Sequence, residues 1–304
     1  MKRPTLEDIL EYAVVIGFVR VASWLSAQAA VSMGGILGRF AFDCLRFRRR
    51  VTLSNITRHL PEAGADQALR IARGSYVNFG RGLAEFARLP GVDIGYITRN
   101  IRIYGLKHLD DAVRSGKGAI LLTGHFGSWE LMGCVLGRSG YPVKFVVGIQ
   151  RNLLVQDLMN RLREASGIGV IELTSVLETV RHIRAGGFIA MLSDQDAGRR
   201  GVFVEFMGTN ASTPKGAARL ALATGAPIIP GFIVRSAGIE HIITIEKPIH
   251  VDGRGDRDTL VRRATQQYTK VIEDYVRRYP DHWLWAHRRW KTHPPSPQGS
   301  GLAF

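Results

Sequence analysis

Cysteine and acidic residues are both scarce in this chain of 304 residues, and each scarcity excludes a class of protein. The two cysteines, Cys44 and Cys134, offer neither a disulfide framework nor the Cys-x-x-Cys spacing of a zinc or redox site. A reducing location that faces the cytosol fits this usage best. Only 26 acidic residues stand against 41 lysines and arginines, which gives a net charge of +15. A surplus of this size favours an anionic partner: nucleic acid, an anionic membrane surface or an acidic carrier protein.

Motifs of several common protein classes are also missing. No recognition helix, zinc knuckle or aromatic-basic RNA motif accompanies the positive charge, so we predict no nucleic-acid partner. A serine hydrolase would show Gly-x-Ser-x-Gly, but Ser128 lies in Phe126-Gly-Ser-Trp-Glu130 and lacks the first and last glycines of that pattern. No internal repeat, low-complexity tract or long linker divides the chain, which is typical of an ordinary folded protein.

The amino-terminal region lacks a charge-free run long enough to define a membrane span. Val21–Gly38 is 18 residues without a charge, near the lower limit for a spanning helix, and serine, glutamine and glycine interrupt it. Acidic residues at positions 7, 8 and 11 argue against a cleaved signal peptide. Arginines at 46 and 48–50 would suit an anionic leaflet, or would form a solvated turn. We predict an interfacial or partly embedded helix, with a spanning helix and a plain soluble helix as alternatives.

From about residue 100 the hydrophobic pattern alternates between short apolar runs and segments with helical periodicity. The run Ala119–Leu122 is apolar at every position, as expected for a strand covered on both faces of a sheet. The alternation predicts an α/β fold with a mixed, largely parallel central sheet flanked by helices. The predicted strands are 101–104, 118–123, 143–149, 169–173, 188–193, 202–206, 228–234 and 241–246. The predicted helices are 65–89, 106–114, 128–138, 153–165, 176–183, 214–223 and 257–278.

The most informative segment is a buried strand followed by a glycine-flanked turn and the start of a helix. His125 lies in the turn between Gly124 and Gly127, and Glu130 lies in the first helical turn after Ser128 as N-cap. Such a turn places its side chains at the carboxyl edge of the sheet, where α/β folds build their sites. His125 can act as a general base, and an ionised Glu130 can accept the other imidazole N–H. A turn histidine with a helix-cap carboxylate is the alternative that these residues leave open.

Four blocks of sequence, in order along the chain, carry a resemblance to a known family. They are Arg49-Arg50-Val-Thr-Leu-Ser-Asn55 with Leu60-Pro61-Glu62, Thr123-Gly-His125-Phe-Gly-Ser-Trp-Glu130, Asp194-Gln-Asp196 with Val202-Phe-Val-Glu-Phe-Met-Gly208 and Ala211-Ser-Thr213, and Tyr279-Pro280 through Trp290-Lys291. The second block resembles the His-x-x-x-x-Glu signature of the lysophospholipid acyltransferase superfamily. Together the blocks resemble the bacterial lipid A late acyltransferase family, which includes phosphatidylinositol mannoside acyltransferases. The resemblance covers about residues 10 to 293.

This resemblance implies O-acyl transfer from a thioester of acyl carrier protein or coenzyme A to a hydroxyl group of a lipid or glycolipid, of the lipid A type or related. His125 would take the hydroxyl proton with Glu130 as its partner, and no acyl-enzyme would form. No metal or other cofactor is expected, because the thioester is itself the co-substrate. A hydroxyl is a weak nucleophile that needs an adjacent base, which agrees with this chemistry. An aminolipid or lysophospholipid acceptor, or a non-catalytic lipid-binding membrane protein, are the alternatives.

Four further residues are predicted to bind substrate: Arg151, Arg163, Asp194 and Thr213. The two arginines suit an acidic head group or the phosphate of a carrier, although arginines on surface helices are common. Asp194 begins the Asp-x-Asp sequence of the third block, which in glycosyltransferases binds a metal. Within this block we expect hydrogen bonding that shapes the site instead, with no metal.

The resemblance also divides the chain into segments and implies a location. We predict a membrane-associating helical segment at 1–62, an acyltransferase catalytic domain at 63–293 and a flexible tail, rich in Pro, Gly and Ser, at 294–304. The expected location is the cytoplasmic face of the bacterial inner (plasma) membrane. The expected partners are anionic membrane lipids, acyl carrier protein or acyl-CoA, and the lipid or glycolipid acceptor.

Overall fold

A computed structural model describes residues 4–294, so the predicted tail lies outside the described residues except for Pro294. The helices are α1 (Leu6–Trp24), α2 (Ala27–Asp43), α3 (Arg49–His59), α4 (Ala65–Ala87), α5 (Ile94–Asn100), α6 (Lys107–Ser115), α7 (Trp129–Arg138), α8 (Leu153–Ala165), α9 (Val176–Arg184), α10 (Gly216–Thr224) and α11 (Arg257–Arg278). The strands are β1 (Ile101–Tyr104), β2 (Ala119–Thr123), β3 (Val143–Val147), β4 (Gly169–Glu172), β5 (Phe188–Leu192), β6 (Val202–Phe206), β7 (Thr209–Thr213), β8 (Ile228–Ala237) and β9 (Glu240–Ile245).

Seven of these strands form one sheet in the order β1-β9-β8-β2-β5-β3-β4. The five strands from β8 to β4 run parallel to one another, whereas β9 is antiparallel to β8 and parallel to β1. The predicted mixed, largely parallel sheet flanked by helices is therefore confirmed. In β2, Thr123 lies opposite Leu192 of β5. Because the two strands are parallel neighbours, the segments that follow them meet at one edge of the sheet.

Strand β7 and helices α3 and α5 were not predicted. The sequence of β7 is Thr-Asn-Ala-Ser-Thr, which has no alternation of apolar and polar residues to indicate a strand. It pairs with β6 in a separate antiparallel hairpin, so its position depends on a partner strand rather than on its own pattern. Pairing with β6 therefore stabilises a strand that the local sequence does not predict.

The amino-terminal region folds into separate helices that pack against the rest of the chain. The uncharged run is divided where Ser26 caps α2 by accepting a hydrogen bond from the backbone N–H of Ala29 at 3.3 Å. Its glycines allow α2 to approach α4 closely, since a Cβ at Gly38 would lie 2.1 Å from the carbonyl oxygen of Tyr76. Among residues 4–294, no helix combines the length and apolar character required to cross a membrane.

The core lies on both faces of the sheet. On one face, Phe126 and Phe232 pack with residues of α11 and of the segment that follows it. On the other, α7 packs through residues such as Leu131 and Val135. The three tryptophans of the last sequence block are buried in the first of these clusters: Trp283, Trp285 and Trp290. The carboxyl-terminal segment is therefore part of the protein interior, adjacent to the turn that follows β2.

Candidate active site

His125 lies in the turn between β2 and α7, as predicted, and the last sequence block holds this turn in place. Phe126 forms an isolated antiparallel bridge with Trp283, and the backbone N–H of Leu284 donates to the carbonyl oxygen of His125 at 3.1 Å. The N–H of Gly127 donates to the carbonyl oxygen of His282 at 2.8 Å. These bonds satisfy backbone groups that leave the sheet at this edge, and they define the position of the imidazole.

Both glycines of the turn are required by protein contacts rather than by a substrate. Gly127 has φ +58°, and a Cβ there would lie 2.0 Å from the carbonyl oxygen of Ile233. A Cβ at Gly124 would lie 3.0 Å from the carboxyl carbon of Asp194. Gly124 therefore leaves room for the Asp194 carboxylate directly beside the backbone of the turn.

Asp194 is the carboxylate that binds His125. Its Oδ1 lies 2.8 Å from the imidazole Nδ1, and its Oδ2 accepts hydrogen bonds from the His125 backbone N–H and from Trp283 Nε1, both at 2.8 Å. Because an ionised carboxylate only accepts, Nδ1 carries the proton and Nε2 presents its lone pair. A histidine that is held in this tautomer by a carboxylate has the arrangement required of a general base.

The Asp194 carboxylate stays ionised in this environment. Burial by itself raises the pKa of Asp194, but the electrostatic attraction of the adjacent imidazole and the hydrogen bonds from His125 and Trp283 lower that pKa to about 2. The side chain is 2% exposed and lies behind the imidazole. It therefore places a fixed negative charge beside Nδ1 of His125.

The predicted hydrogen bond between His125 and Glu130 is not formed among the described residues. Glu130 instead binds Arg163 of α8 through two bonds, Nη2 to Oε1 at 2.6 Å and Nε to Oε2 at 3.0 Å. Arg163 also donates to Asn160 Oδ1 at 3.0 Å, and its guanidinium carbon lies 5.4 Å from the centre of the Phe86 ring. Glu130 thus points from the first turn of α7 towards α8.

The other predicted substrate-binding residues occupy different environments. Arg151 is exposed and pairs with Glu7 of α1 at 2.9 Å, outside the residues that line the cavity described below. Thr213 is fully buried, and its Oγ1 accepts a hydrogen bond from Arg289 Nη2 at 2.5 Å. Thr213 and Asp194 therefore bind protein groups, and of the four predicted residues only Arg163 lines the cavity.

A cavity of about 410 Å³ opens beside His125 and Glu130. Most of its wall is apolar and comes from α7, from the strands beneath it and from α8, including Leu121, Met132, Leu136, Phe145, Met159, Ile229 and Ile245. Its polar groups include His125, Glu130, Arg163 and Gln195. An apolar cleft with a few convergent polar groups is the usual form of a small-molecule site. This one can hold a hydrocarbon chain with its reactive end at the imidazole.

Two residues of this site were not identified from the sequence as partners of His125. Gln195 lines the cavity, and its Nε2 lies 3.3 Å from His125 Nε2. The sequence predicts hydrogen bonding by Asp194 that shapes the site, and substrate binding, but it does not indicate His125 as the partner. The signal that indicates both is topological: they follow β5, the parallel neighbour of β2, at the same edge of the sheet. That neighbour relation is not visible in a single sequence.

The comparison with known families gives a match over nearly the whole chain. The model of the family described as "Bacterial lipid A biosynthesis acyltransferase" matches residues 1–292. Its match includes every residue of the site described above.

Three individual relatives share at most 29% of their residues with this chain over the matched regions. The chain is 29% identical over 184 residues to a phosphatidylinositol mannoside acyltransferase of Mycolicibacterium smegmatis, covering 58% of this chain and 60% of that protein. It is 26% identical over 267 residues to the lipid A biosynthesis palmitoleoyltransferase of Escherichia coli, covering 86% and 85%. It is 24% identical over 286 residues to the lipid A biosynthesis lauroyltransferase of Escherichia coli, covering 92% and 90%.

Proposed function

Because this chain belongs to the bacterial lipid A biosynthesis acyltransferase family, we propose that it transfers a fatty acyl group from an acyl thioester to a hydroxyl group of a lipid or glycolipid. The donor is a thioester of acyl carrier protein or coenzyme A. The observation that carries the proposal is the His125–Asp194 pair, which lies at a mostly apolar cavity with His125 Nε2 as the unprotonated ring nitrogen. The base suits an alcohol acceptor, and the apolar cavity beside it suits an acyl chain.

In the proposed reaction His125 is the general base. Nε2 takes the proton of the acceptor hydroxyl while its oxygen attacks the thioester carbonyl, so that a C–O bond forms and the carbonyl oxygen becomes an oxyanion. When the tetrahedral intermediate collapses, the C–S bond breaks and the imidazolium returns the proton to the thiolate. Asp194 stabilises the imidazolium between these two steps and keeps Nδ1 protonated. The products are an ester and a free thiol.

We assign Glu130 a role through Arg163 rather than as the partner of His125. The pair is largely buried in the cavity wall, with side chains 12% and 8% exposed. Three of the five N–H donors of Arg163 are used by Glu130 and Asn160. Glu130 holds the guanidinium at the cavity, where its positive charge serves the donor or the oxyanion.

The acyl chain is assigned to the apolar part of the cavity under α7. Each methylene group that leaves water for such a surface contributes about 0.8 kcal/mol, so a long chain binds there without polar contacts. Gly231 lies in this wall, and a Cβ there would meet Ile245 Cδ1 at 3.2 Å. The polar end of the donor then remains near His125 and Arg163.

The proposal is tested by an acyl-transfer assay with purified protein. Palmitoyl-CoA and palmitoyl-acyl carrier protein are offered with a lipid A precursor, a phosphatidylinositol mannoside or a lysophospholipid, and acylated lipid is measured by mass spectrometry beside released thiol. We expect a new ester with at least one acceptor, and its loss in His125→Ala. If the natural protein and His125→Ala both bind lipid and neither forms an ester, the protein is a non-catalytic lipid-binding protein instead.

We also propose that the protein associates with the cytoplasmic face of the bacterial inner membrane. Helix α1 exposes Leu6, Leu10 and Val14 at helical spacing, with Leu10 59% and Val14 74% exposed. The loops after β3 and β4 expose Ile149 and Leu173, and Leu173 also lines the cavity. Apolar side chains on this side of the molecule suit an interfacial contact through which a lipid acceptor reaches the cavity.

Removing the apolar face of α1 should weaken membrane binding. We expect Leu10→Asp with Val14→Asp to reduce binding to phosphatidylethanolamine–phosphatidylglycerol vesicles at least tenfold, since each buried aliphatic side chain contributes about 1.5–3 kcal/mol. The matched control carries Tyr104→Asp and Val113→Asp, two exposed apolar side chains on β1 and α6. Co-sedimentation that is equal for both double variants would refute a contact through α1.

A further inference from the structure

The general base of the proposed reaction is not free in this structure. Asp194 holds the proton on Nδ1 of His125, so Nε2 has a lone pair and accepts. The amide Nε2 of Gln195 lies 3.3 Å from that nitrogen and is the donor. An internal hydrogen bond therefore occupies the lone pair that must receive the proton of the acceptor.

The backbone of Gln195 is fixed by its neighbours, whereas its side chain is held by one hydrogen bond. Its neighbours are anchored: Asp194 by His125 and Trp283, and Asp196 by its backbone N–H, which donates to His287 Nε2 at 3.0 Å. Within residues 4–294, the amide of Gln195 has no hydrogen-bond partner other than His125. The amide can therefore leave Nε2 by rotation of its own side chain, without movement of the chain.

Water is the competitor that this bond excludes. A water molecule at Nε2 would be activated in the same way as a hydroxyl: its oxygen would bond to the thioester carbon, the C–S bond would break, and its proton would pass through His125 to the thiolate. The products would be a free fatty acid and a thiol, and the donor would be wasted. Water has no apolar part whose burial offsets the loss of the Gln195 bond, whereas a lipid acceptor does.

We infer that Gln195 determines specificity for a lipid hydroxyl over water by occupying His125 Nε2 until a bound acceptor displaces it. This inference rests on the proposed acyl transfer and goes beyond it. The amide is a gate on the base rather than a proton carrier. Its effect falls on thioester hydrolysis in the absence of acceptor and on the acceptor KM.

The test measures thiol release from palmitoyl-CoA or palmitoyl-acyl carrier protein with and without acceptor. Gln195→Met keeps the volume and removes the donor, and Gln195→Ala removes both. A net hydrogen-bond contribution of about 0.5–1.5 kcal/mol corresponds to a roughly two- to tenfold change. We expect hydrolysis without acceptor to rise by that factor in both variants and the acceptor KM to fall. The matched control is Gln266→Met, a half-buried glutamine that bonds to the backbone of Glu205 in β6.

The outcomes separate this inference from the proposed function. Transfer by the natural protein together with raised hydrolysis in both Gln195 variants, and not in Gln266→Met, supports the gate. Transfer by the natural protein with hydrolysis unchanged in the Gln195 variants overturns the gate and leaves the proposed function intact. A parallel fall of kcat and hydrolysis also overturns it, since the amide would then serve the chemical step itself. No thioester consumption by the natural protein refutes both.

Discussion

Replacing Asp194 by asparagine is expected to lower acyl transfer by roughly 10²–10⁴-fold, the range associated with loss of general-base function. The change removes the charge that stabilises the imidazolium and places an amide opposite Nδ1, which disturbs the tautomer that leaves Nε2 free. Because the base and its carboxylate act as one unit, combining Asp194→Asn with His125→Ala should scarcely exceed His125→Ala alone. Steady-state transfer by the three variants measures both effects.

Glu130→Gln is the matched comparison, because the sequence predicts for Glu130 the role that we propose for Asp194. It keeps one carbonyl acceptor for Arg163 and leaves the His125–Asp194 bond untouched, so its effect on kcat should be smaller. A larger loss in Glu130→Gln than in Asp194→Asn would contradict the assignment of the positioning carboxylate.

The same Asp194 variant has a signature in the pH dependence of stability. The pKa of Asp194 is lowered from 3.8 to about 2, so its carboxylate stabilises the folded state above pH 3.8 and ceases to do so as the pH falls through about 2. This shift corresponds to about 2 kcal/mol. The difference in free energy of unfolding between the natural protein and Asp194→Asn should therefore shrink over that interval, as measured by urea unfolding.

Arg235→Met is expected to cost about 3–5 kcal/mol of stability, the range for removing one partner of a buried ion pair. Arg235 of β8 donates two bonds of 2.8 Å to Glu85 of α4, and both side chains are under 10% exposed. Burial raises the pKa of Glu85, but the nearby charges of His241 and Arg235, with the bonds from Arg235, keep it below its usual value. Without Arg235 the buried carboxylate loses the group that makes two hydrogen bonds of 2.8 Å to it.

Urea unfolding of two further variants controls this prediction. Lys270→Met breaks an exposed pair with Asp274 and should cost under about 1 kcal/mol. Adding Glu85→Met to Arg235→Met should recover part of the lost stability, since the unpaired charge is then removed. An Arg235→Met variant as stable as Lys270→Met would show that the buried pair is not needed.

Local pattern was sufficient for most of the fold. Helix α11 was predicted at 257–278 and is observed there, because its apolar residues recur at helical spacing and Asp256 caps it. Strand β2 was predicted from a run of apolar residues, and it is buried at every position. The turn that holds His125 followed from the glycines around it. These features depend on residues close in sequence, so a single chain carries them.

The partners of the site depend on distant contacts, and there the sequence was a weaker guide. Glu130 is only five residues from His125, yet the direction of α7 carries it to Arg163, which no local pattern specifies. Asp194 reaches His125 because β5 lies beside β2. Thr213 belongs to a block associated with function, but it binds the buried Arg289. In each case strand order and helix direction decide which of several plausible partners a side chain meets.

The bond from Trp283 to Asp194 also has a consequence for biosynthesis of the protein. Trp283 contacts both Asp194 and the turn that contains His125. Because synthesis proceeds from the amino terminus, both of these partners leave the ribosome before Trp283 does. Until that segment emerges, Asp194 lacks one of its donors and the turn at Phe126 lacks its bridge. The nascent chain thus carries His125 and its carboxylate partner without the framework that aligns them until the segment around Trp283 has been synthesised.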